Sequence, residues 1–529
     1  MRHWLAVIAL GLLAACAGVP QAQRDRVQQA VDAMGGADAL AKVRSVTARG
    51  TVKHWEPEQS MAAGGEMRFA AESTFDLAMD ATAGATRVDW TKKYAYPAAR
   101  TWTFSELVTR DGGFVYGIDS TGRNVQSQKS DPPRHAMSGQ RLATTQREWL
   151  RASPLLLLDV YRNPQGLYAL PDVQVAGTSY PAAGYRKGTH DYVILFDPAT
   201  KLPARIRTLD YDTIWGDIAY DLVLGDWQTV DGVKVAMSQK YEFDGRVVAD
   251  QRLTEVKLNG PVVANRYDVP ADLRASARPA ATGAVPHQWI IRRQFIGTYL
   301  DSDNPSFDTL ATQSLRLNEV APGVLQTAGG SHNSLAVEMS DHYVVFDSPV
   351  SDAQSNWLLG ELKKRSPNKP VKTLVLTHHH MDHTGGVRAY LAQGATLVVG
   401  RGNGGHFRKV LARPMTRNPD LAARDLSNVA IVEVADRQSF SDGKREVLVF
   451  DTPNPHANGT LIGYVVDARL GYTTDLWSPG RDPLPFQISP PLAAVVDAVK
   501  KAGIQPARFA GGHGSVGDYA PLAALADKR

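Results

Sequence analysis

The sequence predicts an α+β chain of two domains, a mostly antiparallel β domain followed by an α/β domain. Its 529 residues are too many for a single hydrophobic core. Residues 45–258 show mostly strand patterns broken by turn signals such as Asp231-Gly232. A Pro/Ala/Gly-rich stretch, 275–286, is typical of a linker, and strands and helices alternate after it. We therefore expect domains at 24–273 and 291–529, joined by a linker at 274–290.

The composition is that of a folded protein that does not bind nucleic acid. Hydrophobic residues make up 43% of the chain and charged residues 21%, which are ordinary values for a globular protein. The formal net charge is only +4, without a long run of Lys or Arg and without a basic stripe interleaved with aromatic residues. We therefore expect no nucleic-acid partner.

The first residues, MRHWLAVIALGLLAACAG, predict export. A positively charged start precedes a short apolar run at 5–13, which is typical of a secretory signal and too short to span a bilayer. The sequence up to Cys16, the only cysteine, resembles a bacterial lipobox. The resemblance implies a signal peptide at 1–16, lipidation of Cys16 and a membrane anchor, and Ala17 favours the outer membrane over inner-membrane retention. The alternative is a plain signal cut near Ala22, which leaves a periplasmic protein.

The amino-terminal domain begins with a helical pattern at 24–44, interrupted by a Gly-Gly break, and continues with strands. Three segments, GGADALAKVRSVTARG, DPATKLPARI and VDGVKV, resemble the LolA/LolB type of lipoprotein-carrier domain. The resemblance implies a curved antiparallel sheet with helices in its concavity. Because one fold hosts many functions, it does not imply that this domain carries a lipid.

The segment TLVLTHHHMDHTGG predicts a metal site. Residues 371–377 form an apolar run typical of a buried strand, and 384–394 have helical spacing, so the histidines lie on the loop that leaves the strand. That position is where α/β folds place their sites. Imidazole and carboxylate are ligands of zinc-like metals. Ligands so closely spaced on one loop are too crowded for one tetrahedral ion and suit two neighbouring ions.

Further candidate ligands follow other predicted strands. They are Asp347 in YVVFDSP, His456 in EVLVFDTPNPHANGT, Asp475 in LGYTTDLWSPG and His513 in ARFAGGHGS. Together with THHHMDHTGG they resemble, in the same order, the motifs of the metallo-β-lactamase-fold superfamily over residues 310–529. The resemblance implies an αββα sandwich for the carboxy-terminal domain.

The same resemblance implies a role for each position. It assigns His378, His380 and His456 to a first metal ion, Asp382, His383 and His513 to a second ion, and Asp475 to both. It places Asp347 behind the ligands as a hydrogen-bonding support, and makes two Zn²⁺ the expected cofactors, with iron and other divalent metals as alternatives.

Four other residues have weaker assignments. We expect His379 to be structural or solvent-facing and Trp477 to contribute to packing. His406 and Asn458 are weak candidates for substrate contact, against ordinary roles as a surface or core histidine and a turn residue.

Two metal ions would make the domain a hydrolase. A hydroxide bridging them would attack an ester, lactone, thioester, sulfate or phosphate ester, or β-lactam, and Asp382 would orient it and shuttle its proton. The exported β-lactamases of this superfamily generally lack an aspartate at the bridging position. Asp475 therefore favours the glyoxalase-, lactonase-, sulfatase- or phosphodiesterase-like branches.

Two alternatives remain open from the sequence. Persulfide dioxygenases share the HxHxDH motif and bind one iron, whereas flavodiiron proteins replace the second histidine, and His380 argues against them. The other alternative is a lipid- or peptide-binding lipoprotein with an inactive second domain, and the intact ligand set argues against that.

Overall fold

The computed structural model describes residues 20–120, 126–261, 263, 265–283, 285, 287, 290–292, 301 and 314–528. The predicted signal segment and Cys16 lie outside the described residues. Across the described residues, no helix combines the length and apolar character needed to cross a bilayer.

The amino-terminal part is built on one sheet of thirteen strands, with the order β6-β5-β4-β3-β2-β1-β15-β14-β13-β12-β11-β10-β7 and antiparallel pairing throughout. Its strands, with the separate β8–β9 hairpin, are β1 Ser45–Glu56, β2 Arg68–Asp80, β3 Ala85–Tyr94, β4 Arg100–Thr109, β5 Gly112–Gly117, β6 Arg134–Ala136, β7 Leu167–Tyr168, β8 Val173–Val175, β9 Thr178–Tyr180, β10 Ala182–Lys187, β11 His190–Phe196, β12 Pro203–Asp212, β13 Gly216–Val230, β14 Val233–Phe243 and β15 Arg246–Leu258.

Local sequence determines the hairpins of this sheet. Asp231-Gly232 joins β13 to β14 with φ of 48° and 81°, and Asp244-Gly245 joins β14 to β15 with φ of 47° and 80°. A two-residue turn with positive φ at both positions matches the twist of an antiparallel pair, and Asp-Gly is a preferred sequence for it. The predicted antiparallel sheet is confirmed, whereas the domain bounds and the likeness to lipoprotein carriers stay predictions.

Helices cover part of this sheet. They are α1 Gln21–Ala33, α2 Ala37–Ala41, α3 Gly139–Ala152, α4 Leu156–Arg162 and α5 Ala271–Ala275. Val27 and Val31 of α1 pack with Leu157 of α4 and with Ile194 of β11 in one buried cluster. This apolar contact between helices and sheet forms the core of the amino-terminal part.

The carboxy-terminal part has two sheets packed face to face. The first has seven strands in the order β16-β17-β18-β19-β20-β21-β22, and the second has six in the order β23-β24-β25-β26-β27-β28. The strands are β16 Arg316–Ala321, β17 Val324–Ala328, β18 Leu335–Glu338, β19 Tyr343–Phe346, β20 Val371–Val375, β21 Thr396–Gly400, β22 Ile431–Val434, β23 Arg437–Ser441, β24 Glu446–Asp451, β25 Leu461–Val465, β26 Leu470–Thr473, β27 Arg508–Gly511 and β28 Val516–Asp518.

Helices lie on the outer faces of both sheets and give the predicted αββα layers. They are α6 Asp352–Arg365, α7 Met381–Thr384, α8 Val387–Leu391, α9 Gly404–Leu411, α10 Pro490–Ala502 and α11 Ala520–Ala526. Phe346, Val375 and Val449 share the buried cluster between the sheets. Val495 of α10 packs with Phe509 of β27 on the outer side of the second sheet.

The two parts meet at a buried contact between α8 and the turn before β13. Arg388 donates to the carbonyl of Ile214 from Nε at 3.2 Å and from Nη2 at 3.1 Å, and to the carbonyl of Val410 at 2.6 Å. Trp215 and Leu411 belong to one apolar cluster that spans both parts. Burial lowers the pKa of Arg388 to about 10, so the guanidinium stays charged at neutral pH.

Replacing Arg388 by methionine should weaken this contact. The change keeps much of the apolar volume but leaves the carbonyl of Ile214 without the Arg388 donor, while the carbonyl of Val410 keeps the backbone N–H of Arg413 at 3.2 Å. We expect the free energy of unfolding to fall by about 3 kcal/mol. Urea unfolding followed by tryptophan fluorescence measures the change. Arg408→Met, on the exposed side of α9, is the control and should leave the unfolding midpoint unchanged. Equal midpoints for the two variants would contradict the role of Arg388.

Candidate metal centre

Strand ends bring the predicted ligands together. In the first sheet, β19 and β20 are parallel neighbours, and Asp347 and His378 follow them. In the second sheet, β26 and β27 are parallel neighbours, and Asp475 and His513 follow them. His456 follows β24. Because parallel strands end at the same edge, these side chains converge on one place at the rim of the sandwich.

Three imidazoles form the first group. His378, His380 and His456 each offer a nitrogen, and these atoms lie within 4.8 Å of one another. Nε2 of His378 and Nε2 of His456 are 3.2 Å apart. Burial lowers the pKa of His378 and His380 well below the usual histidine value, and also lowers that of His456. Neutral imidazoles present lone pairs, so this group suits a nitrogen-binding metal ion.

A second group combines imidazoles with a carboxylate. His332, Asp382, His383 and His513 each offer one ligand atom within 4.8 Å of the others. Oδ2 of Asp382 lies 3.1 Å from Nε2 of His332 and 3.9 Å from Nε2 of His383. The rings of His332 and His513 meet edge to face, with centroids 4.5 Å apart.

Asp475 lies between the two groups. Its Oδ2 is 2.8 Å from Nε2 of His383 and 3.4 Å from Nε2 of His378, and its Oδ1 is 3.0 Å from Nε2 of His513. Burial alone would raise the pKa of Asp475, but the imidazoles of His513 and His383 hold it well below its usual range. The ionised carboxylate therefore contacts both groups at once.

Asp347 supports the second group from behind. It accepts hydrogen bonds from the backbone N–H of Thr377 at 2.7 Å, from the Thr377 hydroxyl at 2.9 Å and from Nδ1 of His383 at 3.1 Å. Burial alone would lower the pKa of His383, but the carboxylates of Asp475 and Asp382 raise it well above its usual value, so Nδ1 donates to Asp347 and Nε2 donates to Asp475. A metal ion bound at Nε2 would replace that proton. These contacts are observed, whereas the role of Asp347 toward a metal ligand stays a prediction.

The carboxy-terminal half of the chain is similar to known proteins. Residues 263–515 match the family described as the metallo-beta-lactamase superfamily. The carboxy-terminal domain has the metallo-β-lactamase fold. A stretch of 94 residues, 17% of the chain, is 36% identical to a linear primary-alkylsulfatase from a Pseudomonas species and covers 14% of that relative. The chain thus matches only a small share of the curated relative's length.

Solved structures include similar proteins. A metallo-β-lactamase from Pontibacter korlensis is 17% identical, with 41% of this chain and 100% of that chain covered and a TM-score of 0.30. A double mutant of the sec-alkyl sulfatase PisA1 is 18% identical, with 43% of this chain and 44% of that chain covered and a TM-score of 0.31.

The remaining residues singled out from the sequence lie outside the two ligand groups of this metallo-β-lactamase-fold domain. His379 is buried and donates from Nε2 to the carbonyl of Ser60 at 2.9 Å, so it is structural rather than solvent-facing. The ring of His406 packs against Trp215, with centroids 5.4 Å apart. Trp477 packs against Phe509 with centroids 5.4 Å apart, in agreement with its predicted packing role.

Asn458 is in contact with the amino-terminal part. Its backbone N–H donates to the carbonyl of Met61 at 2.8 Å, and its own carbonyl accepts from the side-chain amide of Asn403 at 3.4 Å. These backbone contacts are those of a turn residue, the ordinary role expected for it.

Sequence reasoning missed two contributors to the centre. His332 lies on the loop after β17, and the end of a strand in TAGGSHNS was the only signal that could have drawn attention to it. Gln59, from the amino-terminal part, donates from Nε2 to Oδ1 of Asp382 at 2.8 Å. The separation of more than 300 residues along the chain hides this contact from any local pattern.

Replacing Asp347 by alanine should weaken metal binding in the second group. Without this acceptor, the His383 ring and the Thr377 turn lose their fixed orientation, and we expect affinity for one metal ion to fall by about 10- to 100-fold. Competition with a chromogenic chelator measures the affinities for the two metal ions. The Asp347→Asn variant keeps the shape of the side chain, so it distinguishes a loss of ring orientation from a loss of folding. Asp341→Ala, at an exposed carboxylate that pairs with Lys372, is the control. Retention of both metal ions at the control's affinity would remove Asp347 from this role.

Proposed function

We propose that the chain is a metallo-β-lactamase-fold hydrolase that works with two metal ions and acts on a small molecule. His378, His380 and His456 would hold the first ion, and Asp382, His383 and His513 the second. The position of Asp475 carries the proposal, because its carboxylate reaches His378 and His383 with one oxygen and His513 with the other.

The side chains of the two groups suit metal ions. Nε2 of the buried His378 and Nε2 of the partly buried His456 face each other at 3.2 Å. At most one of them can donate to the other, and a shared cation satisfies the lone pairs of both. Three nitrogen donors in one group and a mixture of nitrogen and oxygen in the other suit zinc, with iron and other divalent ions as alternatives.

Bound metal ions would lower the pKa of a water molecule and polarise the bond under attack. Burial alone would raise the pKa of Asp382, but His383 and His332 hold it well below its usual range, so the carboxylate stays ionised. It can therefore accept a hydrogen bond from the attacking water and orient it. The surrounding chain limits access of bulk water, since Gln59 and Ser60 are buried against the centre.

His332 is an additional candidate of our own. Its Nδ1 lies 2.6 Å from the hydroxyl of Ser331, and its Nε2 lies 3.1 Å from Oδ2 of Asp382. This geometry supports either an extra ligand of the second ion or a group that orients Asp382.

Sulfate esters come first among the candidate substrates. The relative that shares 36% identity over 94 residues is a linear primary-alkylsulfatase. An aspartate at position 475 favours the same class over β-lactams. Lactones, thioesters and phosphate esters complete the panel of substrates.

Export, and lipid attachment at Cys16, belong to the proposal as well, and the mass of the mature amino-terminal peptide from the native host tests both.

A second candidate function concerns the amino-terminal part. A cavity of about 180 Å³ between the sheet and α3 is lined mainly by apolar side chains, among them Val52, Phe75, Trp90, Trp149 and Leu253. This cavity favours the binding of an apolar ligand there, as in the alternative of a binding lipoprotein. Titration with a fatty acid, followed by tryptophan fluorescence, tests it, and an unchanged signal would remove this candidate.

The metal content of the purified protein tests the main proposal. We expect close to two metal ions per chain in elemental analysis, and clearly less in His378→Ala and Asp475→Ala, because each variant removes a ligand. His342→Ala is the matched control, since His342 lies away from the centre and contacts Asp341. A protein that takes up no metal under loading conditions would contradict the proposal. One iron per chain, with an oxidised product, would favour the dioxygenase alternative.

Hydrolysis of the substrate panel tests the reaction. We expect metal-dependent cleavage of at least one ester class, with alkyl sulfates tried first, and a loss of about 100-fold or more in kcat/KM for Asp475→Ala. The His342→Ala protein should keep the wild-type rate. A fully metal-loaded protein that cleaves no member of the panel would contradict the proposed reaction.

A further inference from the structure

The amino-terminal part reaches the metal centre through one short segment. Between β1 and β2 the chain makes a single turn at Pro57–Gln59 and then runs along the carboxy-terminal domain. Three consecutive residues, Gln59, Ser60 and Met61, each make a hydrogen bond to a ligand-bearing loop of that domain. We call residues 59–61 the clamp segment.

Each residue of the clamp segment contacts a different part of the centre. Gln59 donates from Nε2 to Oδ1 of Asp382 at 2.8 Å. The carbonyl of Ser60 accepts from Nε2 of His380 at 3.0 Å. The carbonyl of Met61 accepts from the backbone N–H of Asn458 at 2.8 Å, two residues after His456. The segment therefore touches both proposed metal groups.

The Gln59 side chain has a fixed direction. The hydroxyl of Tyr96 donates to Oε1 of Gln59, which leaves Nε2 to donate to Asp382. Burial, with Asp382 and Asp475 nearby, raises the pKa of Tyr96 well above its usual value, so the hydroxyl keeps its proton. A flipped amide would place its oxygen against a carboxylate, which opposes that orientation.

The clamp segment is also anchored on the amino-terminal side. Oε1 of Glu56 accepts from the backbone N–H of Glu58 at 3.0 Å and caps the turn. The carboxylate of Glu58 accepts from the indole N–H of Trp215. Both glutamates are buried, with relative exposures of 0% and 2%. The turn is thus held by the interior of the amino-terminal part, and Gln59 reaches Asp382 from a rigid base.

We infer that the amino-terminal part completes the metal centre, with Gln59 as the positioning residue of Asp382. Oδ2 of Asp382 faces His332 and His383, while Oδ1 accepts from Gln59. The amide therefore turns the ligand oxygen toward the second metal group and holds it there. The inference rests on the proposed function, because it assigns a role toward the same metal ions.

Metal binding by Gln59→Met and Tyr96→Phe tests the inference. Gln59→Met keeps the length of the side chain and removes its amide, and Tyr96→Phe removes the hydroxyl that orients that amide. Gln251→Met is the matched control, because it makes the same change in β15 of the same amino-terminal part and breaks a hydrogen bond to Gln239. The probe is Co²⁺ alone, and the readouts are its visible absorption spectrum and its two affinities, measured by chelator competition on the full chain.

We expect Gln59→Met to change the cobalt spectrum and to lower the affinity for one ion by about 10- to 100-fold, while the other affinity stays at the control's value. Tyr96→Phe should lower the affinity for the same ion by a smaller factor. The double variant should bind that ion no more weakly than Gln59→Met, because both residues act through one chain of hydrogen bonds.

A Gln59→Met protein that matches Gln251→Met in spectrum and in both affinities overturns the inference and leaves the proposed function intact. A wild-type protein that binds no cobalt overturns both. A wild-type protein that binds two cobalt ions, shows the predicted effect of Gln59→Met and cleaves none of the panel supports the inference, while the proposed reaction fails. The three patterns are thus distinguishable.

Discussion

The carboxylate of Asp475 is the group on which the arrangement of the centre depends. It follows a strand of the second sheet, and Asp347 follows a strand of the first sheet. Both have a left-handed backbone, with φ of 53° and 56°. Such a conformation costs an ordinary residue roughly 1–2 kcal/mol, and aspartate tolerates it better than most. The hydrogen bonds and ion pairs of the two carboxylates offset that cost, and the turns direct both carboxylates toward the buried histidines.

A buried cluster of imidazoles and carboxylates needs support from every side. Asp347 supports the ring of His383 by a hydrogen bond. Helix α8, which follows the ligand loop, is held by the hydrogen bond of Arg388 to the carbonyl of Ile214. On the open side it comes from the amino-terminal part, through Ser60 and its neighbours. The large antiparallel sheet has a direct role in this arrangement, because its β1–β2 connection is the element that reaches the ligands.

Features that depend on residues close together in the chain could be predicted from the sequence. The Asp-Gly turns, the apolar strand before His378 and the helix after His383 follow from local patterns, and the αββα layers follow from the order of the family motifs. Contacts across the chain are different in kind. Gln59 contacts Asp382 only because the amino-terminal and carboxy-terminal parts pack together in this orientation. A single glutamine in a turn belongs to no sequence pattern that would predict the contact. His332 likewise depends on a loop whose path is set by packing.

The tautomers of the histidines show why the docking of the two parts matters to the chemistry. Nδ1 of His383 donates to Asp347, so its Nε2 faces the centre, and Nε2 of His378 faces His456. His380 is the exception. A carbonyl oxygen only accepts, so Nε2 of His380 must carry a proton to bond Ser60, and the lone pair is left on Nδ1. The amino-terminal part therefore sets which nitrogen of a proposed ligand is available. A carboxy-terminal domain separated from that carbonyl would lose this constraint on His380, even with every predicted ligand still present.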